Sequence, residues 1–230
     1  MSTAETILAA FVMTCAQIIL SELALGLAGL LYKELIFGSN LLISTVVICF
    51  VFRKQGLGNI RRLDYRSTKE MIGLSGVFDG YNKTLFLLLV FSYTIIITAS
   101  YLLPPRGLDD LAYHLPVISE YTRSHAITLL PLQIREAFAY PQNAELLFLW
   151  PLIFTGSLKL IDCVNVPFIF FTILAVYALL RNFTVSINDS FFHSMLYALC
   201  PVVLMQAGSN YIDVILTFFL ITSIYFTIQF

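Results

Sequence analysis

The chain has 230 residues, of which 59% are hydrophobic and only 12% charged, with a net charge of -1 and a mean hydropathy of +0.86. A soluble domain carries about 25% charged residues, so this composition excludes an ordinary soluble enzyme and points to an integral membrane protein. The near-zero balance gives nucleic acid no basic surface to bind, and the four cysteines, Cys15, Cys49, Cys163 and Cys200, have neither CxxC nor metal-ligand spacing and read as packing residues.

A bilayer core about 30 Å thick takes roughly 20 apolar residues as a helix. The first such run covers residues 6–31 and carries one acid, Glu22; an acid within a span usually faces a bundle interior or a polar cavity, though one near a span's end can also reach the interface. Its start, MSTAET, lacks the basic opening and short apolar core of a cleaved signal. A shorter run, 40–52, ends at Arg53 and Lys54, where a basic stretch begins and continues to Lys83. Lys and Arg near span ends mark the cytoplasmic side, so 53–83 is expected inside and the next run, 84–103, leads out. Residues 1–83 thus form two N-terminal helices and a basic loop, and 84–230 the core.

The third run stops at Pro104-Pro105, which cannot continue a helix. The polar segment 104–145 follows, PPRGLDDLAYHLPVISEYTRSHAITLLPLQIREAFAYPQNAE, with two adjacent acids and two of the chain's three histidines. After it come apolar stretches at 146–161, 164–180, 191–207 and 214–230. If all four crossed, Arg181 would lie outside and Asp213 inside; if 146–161, interrupted by Pro151 and Lys159, stays at the interface, Arg181 falls inside and Asp213 on the side of Asp109. The second arrangement is expected. The sequence ends inside the apolar run TFFLITSIYFTIQF, which suggests the N-terminal part of a longer protein, or a chain whose partner helices come from elsewhere. The fold class expected is therefore all-α: a polytopic transmembrane bundle with an extracytoplasmic loop that holds juxtamembrane helices.

Within the loop, Gly107 permits a turn before LAYHLPVISEYTR. Leu111, Leu115, Ile118 and Thr122 share a helical face suited to the headgroup boundary, and Pro116 should shorten or kink the helix. Asp109 pairs by spacing with Tyr113, and Asp110 with His114. Asp109 can be a general base held ionised by the helix dipole, or merely a cap with Asp110 favouring the helix's positive end. His114 and His125 can equally be plain interfacial side chains, and Asp213 a solvated acid at the membrane border. What favours chemistry is the gathering of Asp109/Asp110, Glu145 and Asp213 at three membrane borders on one face.

LDDLAYHLP, AYPQNAELL and QAGSNYIDVILTFF, in that order, resemble the GT-C superfamily of polyprenyl-phosphate-dependent glycosyltransferases, in its branch related to protein O-mannosyltransferases and aminoarabinose transferases. The likeness covers residues 84–230; the first two runs have no counterpart, and Asp110 stands where that branch often has a small residue. It implies a GT-C-like fold in a cytoplasmic (inner) membrane, a polyprenyl-phosphate-linked sugar donor and an acceptor hydroxyl of unspecified nature. Asp109 takes the first acidic position of the motif and so is favoured as the general base, with Asp110 beside it as the other carboxylate that could serve; Tyr113, His114, Tyr140, Glu145 and Asp213 match pocket positions. Arg106, Arg123 and Arg135 are the loop cations available to the leaving phosphate. Some members use a divalent ion, for which Asp109 and Asp213 are the candidate ligands, and others use no cofactor. The competing readings are a lipid-linked sugar transporter or flippase, for which Glu22 speaks, and a structural subunit of a membrane complex.

Overall fold

The computed structural model describes residues 3–60, 80–128 and 141–229. The described residues are helical, with no strand among them. Helix α1 is Thr3–Leu27 and α2 is Lys33–Ile60, followed after the basic stretch by α3, Tyr81–Leu102. The loop carries a π-helical turn, Asp110–His114, that runs straight into α4, Leu115–Ser124. Then come α5, Asn143–Thr155, a 3-10 turn, Leu158–Cys163, α6, Asn165–Asn182, α7, Ile187–Ala198, α8, Pro201–Gln206, and α9, Asp213–Gln229. Four segments are long and apolar enough to cross a membrane: Thr3–Leu27, Lys33–Phe50, Tyr81–Leu102 and Leu158–Asn182.

Several boundaries differ from the sequence reading. The first helix stops at Leu27 rather than at 31, because the chain turns at Gly29 with φ 71°. The second begins at Lys33, not 40, and continues to Ile60, so the expected loop from 53 starts later. The apolar run 191–207 is two helices, since Pro201 has no N–H and opens a new one at α8. The run 146–161 contains no single helix long enough to cross. Its helical part, α5, is 13 residues, about 20 Å long against a core of about 30 Å.

Hydrogen bonds near both ends of α1, α3, α6, α7 and α9 fix how these helices run relative to one another. Asn82 Nδ2 donates to the Asn188 carbonyl at 3.3 Å and Tyr93 OH to the Ala198 carbonyl at 2.9 Å, so α7 runs beside α3 in the same direction. At the far end of that pair a Cβ on Gly208 would meet Ser100 Oγ at 2.9 Å, so α8 closes against the end of α3 only because residue 208 is glycine. α6 and α9 also run side by side, tied by Asn165 Nδ2 to the Tyr211 carbonyl, 2.8 Å, and Asn182 Nδ2 to Gln229 Oε1, 2.9 Å. α1 starts near the end of α9, where Tyr225 OH donates to Glu5 Oε1 at 3.4 Å, and ends where Ile127 N–H donates to the Gly26 carbonyl at 2.9 Å.

One end of the bundle therefore collects the ends of α1 and α3, the loop helix, the start of α6 and the 208–212 turn. The opposite end holds the starts of α3 and α7 and the ends of α6 and α9.

Lipid tails are as apolar as leucine, so packing shape and interhelical hydrogen bonds rather than hydrophobicity hold such helices together. Phe11 of α1 inserts between α6 and α9, its ring 3.7 Å from that of Phe171 and 5.2 Å from those of Phe168 and Phe218. α2 is clasped to α1 by polar groups: Gln17 Nε2 donates to Asn40 O (2.8 Å), Asn40 Oδ1 (3.0 Å) and Ser44 Oγ (3.1 Å), and Asn40 Nδ2 to Ser21 Oγ (3.1 Å). α3 packs on the 3-10 turn, where Lys159 Nζ lies 5.5 Å over the Tyr101 ring.

Candidate functional site

The loop helix is shaped by Pro116. In a regular α-helix its ring would press on the carbonyl four residues back; here the preceding turn widens, and Leu115 N–H bonds the Asp110 carbonyl five residues back. Such π turns often occur at functional sites. The expected kink is thus absorbed as extra girth, and the helix continues to Ser124. The widened turn also rotates the faces. Leu115 and Ile118 are buried where α4 packs on α5, while Leu111 is exposed, so the face expected to meet headgroups is mostly a packing face within the protein.

The two adjacent acids separate in role. Asp110 is wholly buried. Its Oδ1 accepts the Asn210 backbone N–H at 2.9 Å and its Oδ2 the Gly107 N–H at 3.2 Å, so both oxygens are engaged. Burial raises its pKa from the ordinary 3.8, opposed by the Asn210 N–H, nearby His114 and the Gly107 N–H. Gly107 is required here, because a Cβ would fall 2.2 Å from Asp110 Oδ2. Asp109 is partly exposed and already helical in backbone. It makes no capping hydrogen bond, so the capping role open to it in the sequence is not the one it plays.

A second acid completes the cluster. Asp162, in the 3-10 turn before α6, is 4% exposed and accepts Asn210 Nδ2 on Oδ1 at 2.8 Å. Asn210 thus holds Asp110 through its backbone and Asp162 through its side chain. The turn that presents it is fixed by Asn165, whose Nδ2 donates to the Gln206, Ser209 and Tyr211 carbonyls at 3.1, 2.9 and 2.8 Å. Asp162 and Asn165 were not among the sequence candidates. Their signal was a lone acid and an amide three residues apart between two apolar helices.

A cavity of about 510 Å³ opens beside this cluster. Ile96, Ala99, Leu103, Leu204 and Met205 form its apolar walls; Ser100, Arg106, Asp162, Ser209 and Tyr211 supply the polar part. Leu103 and Met205 are exposed, so the cavity opens on the outer face of the bundle between α3 and α8. Arg106 is exposed and near enough to Asp162 to act on its charge.

The remaining candidates fall in three places. His114 Nδ1 and Glu145 Oε1 are 3.0 Å apart and buried, with His114 Nε2 and Glu145 Oε2 unpartnered among the described residues; the Tyr113 ring lies 4.1 Å from that of His114. Asp213 is exposed at the start of α9, accepts Gln206 Nε2 at 2.7 Å and does not line the cavity. Arg123 is exposed and bonded to Glu120 at 2.9 Å through Nε and Nη2, away from the cavity. His125 stacks on Tyr32, 4.2 Å between centroids, tying the loop to the α1–α2 connection. Tyr140 and Arg135 lie outside the described residues, as does most of the basic stretch. No group of three or more His, Cys, Asp or Glu side chains that could hold a metal ion occurs among the described residues.

In comparisons with known proteins the chain matches no family model, no curated protein and no solved structure.

Proposed function

We propose that the protein is a membrane glycosyltransferase that moves a sugar from a polyprenyl-phosphate donor to an acceptor hydroxyl, inverting the anomeric carbon. The observation that carries this reading is the cavity between α3 and α8: apolar walls open to the outer face, ending on an arginine and a buried carboxylate. A lipid tail along the walls brings its phosphate to Arg106, whose planar guanidinium suits phosphate oxygens. Asp109 is the general base. Unlike Asp110 it is partly exposed and has no hydrogen bond among the described residues. It takes the proton of the acceptor hydroxyl as that oxygen bonds the anomeric carbon, while the bond to the phosphate oxygen breaks and its electron pair leaves with the lipid phosphate. Asp110, held by two backbone N–H groups, supports the turn that presents Asp109.

The site end of the bundle is extracytoplasmic in this reading and the membrane is the cytoplasmic one; the basic residues between α2 and α3 support that side assignment. Photo-crosslinking tests the groove. A photoactivatable polyprenyl phosphate in nanodiscs with the full-length protein should label peptides containing Ile96 and Leu204. Labelling confined to α2 would remove the reading's support.

Transport of a lipid-linked sugar is favoured by one feature, Glu22 of α1, fully buried with neither oxygen partnered among the described residues. Donor flux across proteoliposomes in the absence of acceptor, lost in Glu22→Gln, would decide for it.

A further inference from the structure

Four aspartates gather at this end of the bundle, and only Asp162 among them lines the cavity. Asp110 has both oxygens engaged by backbone N–H groups. Asp213 is bonded to Gln206 and, like Asp109, does not line the cavity. Asp162 does line it. Its Oδ1 is fixed by Asn210 Nδ2 at 2.8 Å. Its Oδ2 has no hydrogen bond among the described residues, yet is not one of the oxygens sealed from solvent without a partner. A carboxylate that is 4% exposed, clamped on one oxygen and unbonded on the other, in the lining of a cavity, is a preset acceptor site.

We propose that Asp162 is the sugar-recognising residue of the cavity, Oδ2 accepting a hydrogen bond from a hydroxyl of the sugar carried by the lipid phosphate. This rests on the donor reading above and deepens it. The physical case is complementarity across a short space. Arg106 offers charge for an anion, whereas Asp162 repels an anion and attracts hydroxyl donors. A ligand satisfying both carries a phosphate and a polyol next to each other, with an apolar tail for Ile96, Leu103 and Leu204. A bare lipid phosphate would satisfy Arg106 and leave Asp162 unused. The Asn210 clamp fixes the carboxylate's orientation before any ligand arrives, which favours recognition because less ordering is required on binding. The same clamp links recognition to the base, since Asn210 also holds Asp110, next in sequence to Asp109.

The test compares two ligands on the full-length protein in nanodiscs: a set of short-chain polyprenyl-phosphate hexoses, and the same polyprenyl phosphate without sugar. Asp162→Asn keeps an oxygen to accept Asn210 Nδ2 but replaces the carboxylate. The variant should bind at least one hexosyl lipid about ten- to a hundredfold more weakly, the range expected for losing a hydrogen bond to a charged group, and bind the sugar-free lipid at least as tightly as the wild type does, because a charge that repels the phosphate is gone. Arg106→Gln should weaken both ligands. Equal affinities of Asp162→Asn and wild type for every hexosyl lipid, or equal losses for both ligand types, would overturn the assignment while leaving the lipid-phosphate groove standing. Wild-type protein binding neither ligand would overturn the groove reading as well. Asp162→Ser serves as the second variant with the same expectation; loss of the fold in both would also overturn the proposal, since holding Asn210 would then account for the residue.

Discussion

The backbone N–H of Asn210 donates to Asp110 Oδ1 at 2.9 Å across 100 residues of chain. That bond joins the polar loop to the turn between the last two apolar stretches, so the loop end and the 208–212 turn share one end of the bundle. Cysteine labelling in a background without the four native cysteines tests what this means in a membrane. Leu108→Cys and Tyr211→Cys should react with an impermeant maleimide from one side and Phe183→Cys from the other. Reaction of Tyr211→Cys and Phe183→Cys from the same side would contradict it.

Asp110 should give stability a pH dependence. Burial raises its pKa, so the folded state favours the neutral acid; the stabilisation from this group is fully present below the ordinary carboxyl value and is lost as pH rises through the raised one. Melting of the detergent-solubilised protein, followed upward from about pH 4, should therefore show a stability component falling with pH. In Asp110→Asn that component should vanish, and the variant should lose about 1–3 kcal/mol overall, because one of the two backbone donors keeps no acceptor. An unchanged slope in the variant would assign the dependence to other groups.

The buried pair His114 and Glu145 gives a sharper contrast between two variants. Glu145→Ala leaves His114 Nδ1 buried without a partner and should cost about 1–3 kcal/mol. Glu145→Gln keeps an acceptor oxygen at the same reach and should cost clearly less. Equal losses in the two, measured by thermal unfolding, would mean that packing rather than the 3.0 Å contact holds α4 on α5.

Much of this architecture is legible from residue order alone, and the exceptions have physical reasons. Apolar length locates the helices, and Pro104-Pro105 ends α3 where expected. The i to i+4 spacing of Asp110 and His114 does put both on a buried face. The end of α1 and the break at Pro201 escape a hydropathy reading because it averages over turns made by one glycine or one proline, and α2 outruns its apolar stretch at both ends because polar residues such as Lys33, Glu34, Arg53 and Lys54 continue the helix. Asp162, Asn165 and Asn210 could not be read as a site. Each is an ordinary polar residue at a helix border until the fold brings residues 48 apart into hydrogen-bond contact. The preference for Asp109 over Asp110 as the base came from a motif position; the distinction between a saturated and an unbonded carboxylate came only from geometry.

The clasp between α1 and α2 should be measurable by itself. Gln17→Leu removes the donor to Asn40 and Ser44. Interhelical hydrogen bonds in membranes average about 0.6 kcal/mol and reach about 1.7, so the loss should be of that order, with the site end of the bundle undisturbed. A collapse of the whole fold in Gln17→Leu would show that α1 and α2 are held together mainly through this clasp and not through α1's aromatic contacts with α6 and α9.

Sugar transfer by the full-length protein, from a polyprenyl-phosphate sugar to acceptor in native membranes, compared between wild type, Asp109→Asn and Asp110→Asn, tests the central claim most directly. Asp109→Asn keeps size but removes the base, and turnover should fall by about 10²- to 10⁴-fold with donor binding retained. Asp110→Asn should reduce turnover less and reduce stability more. Near-normal turnover in Asp109→Asn with abolition in a folded Asp110→Asn would place the base on the buried carboxylate, and normal turnover in both, or no transfer by the wild type, would contradict the account.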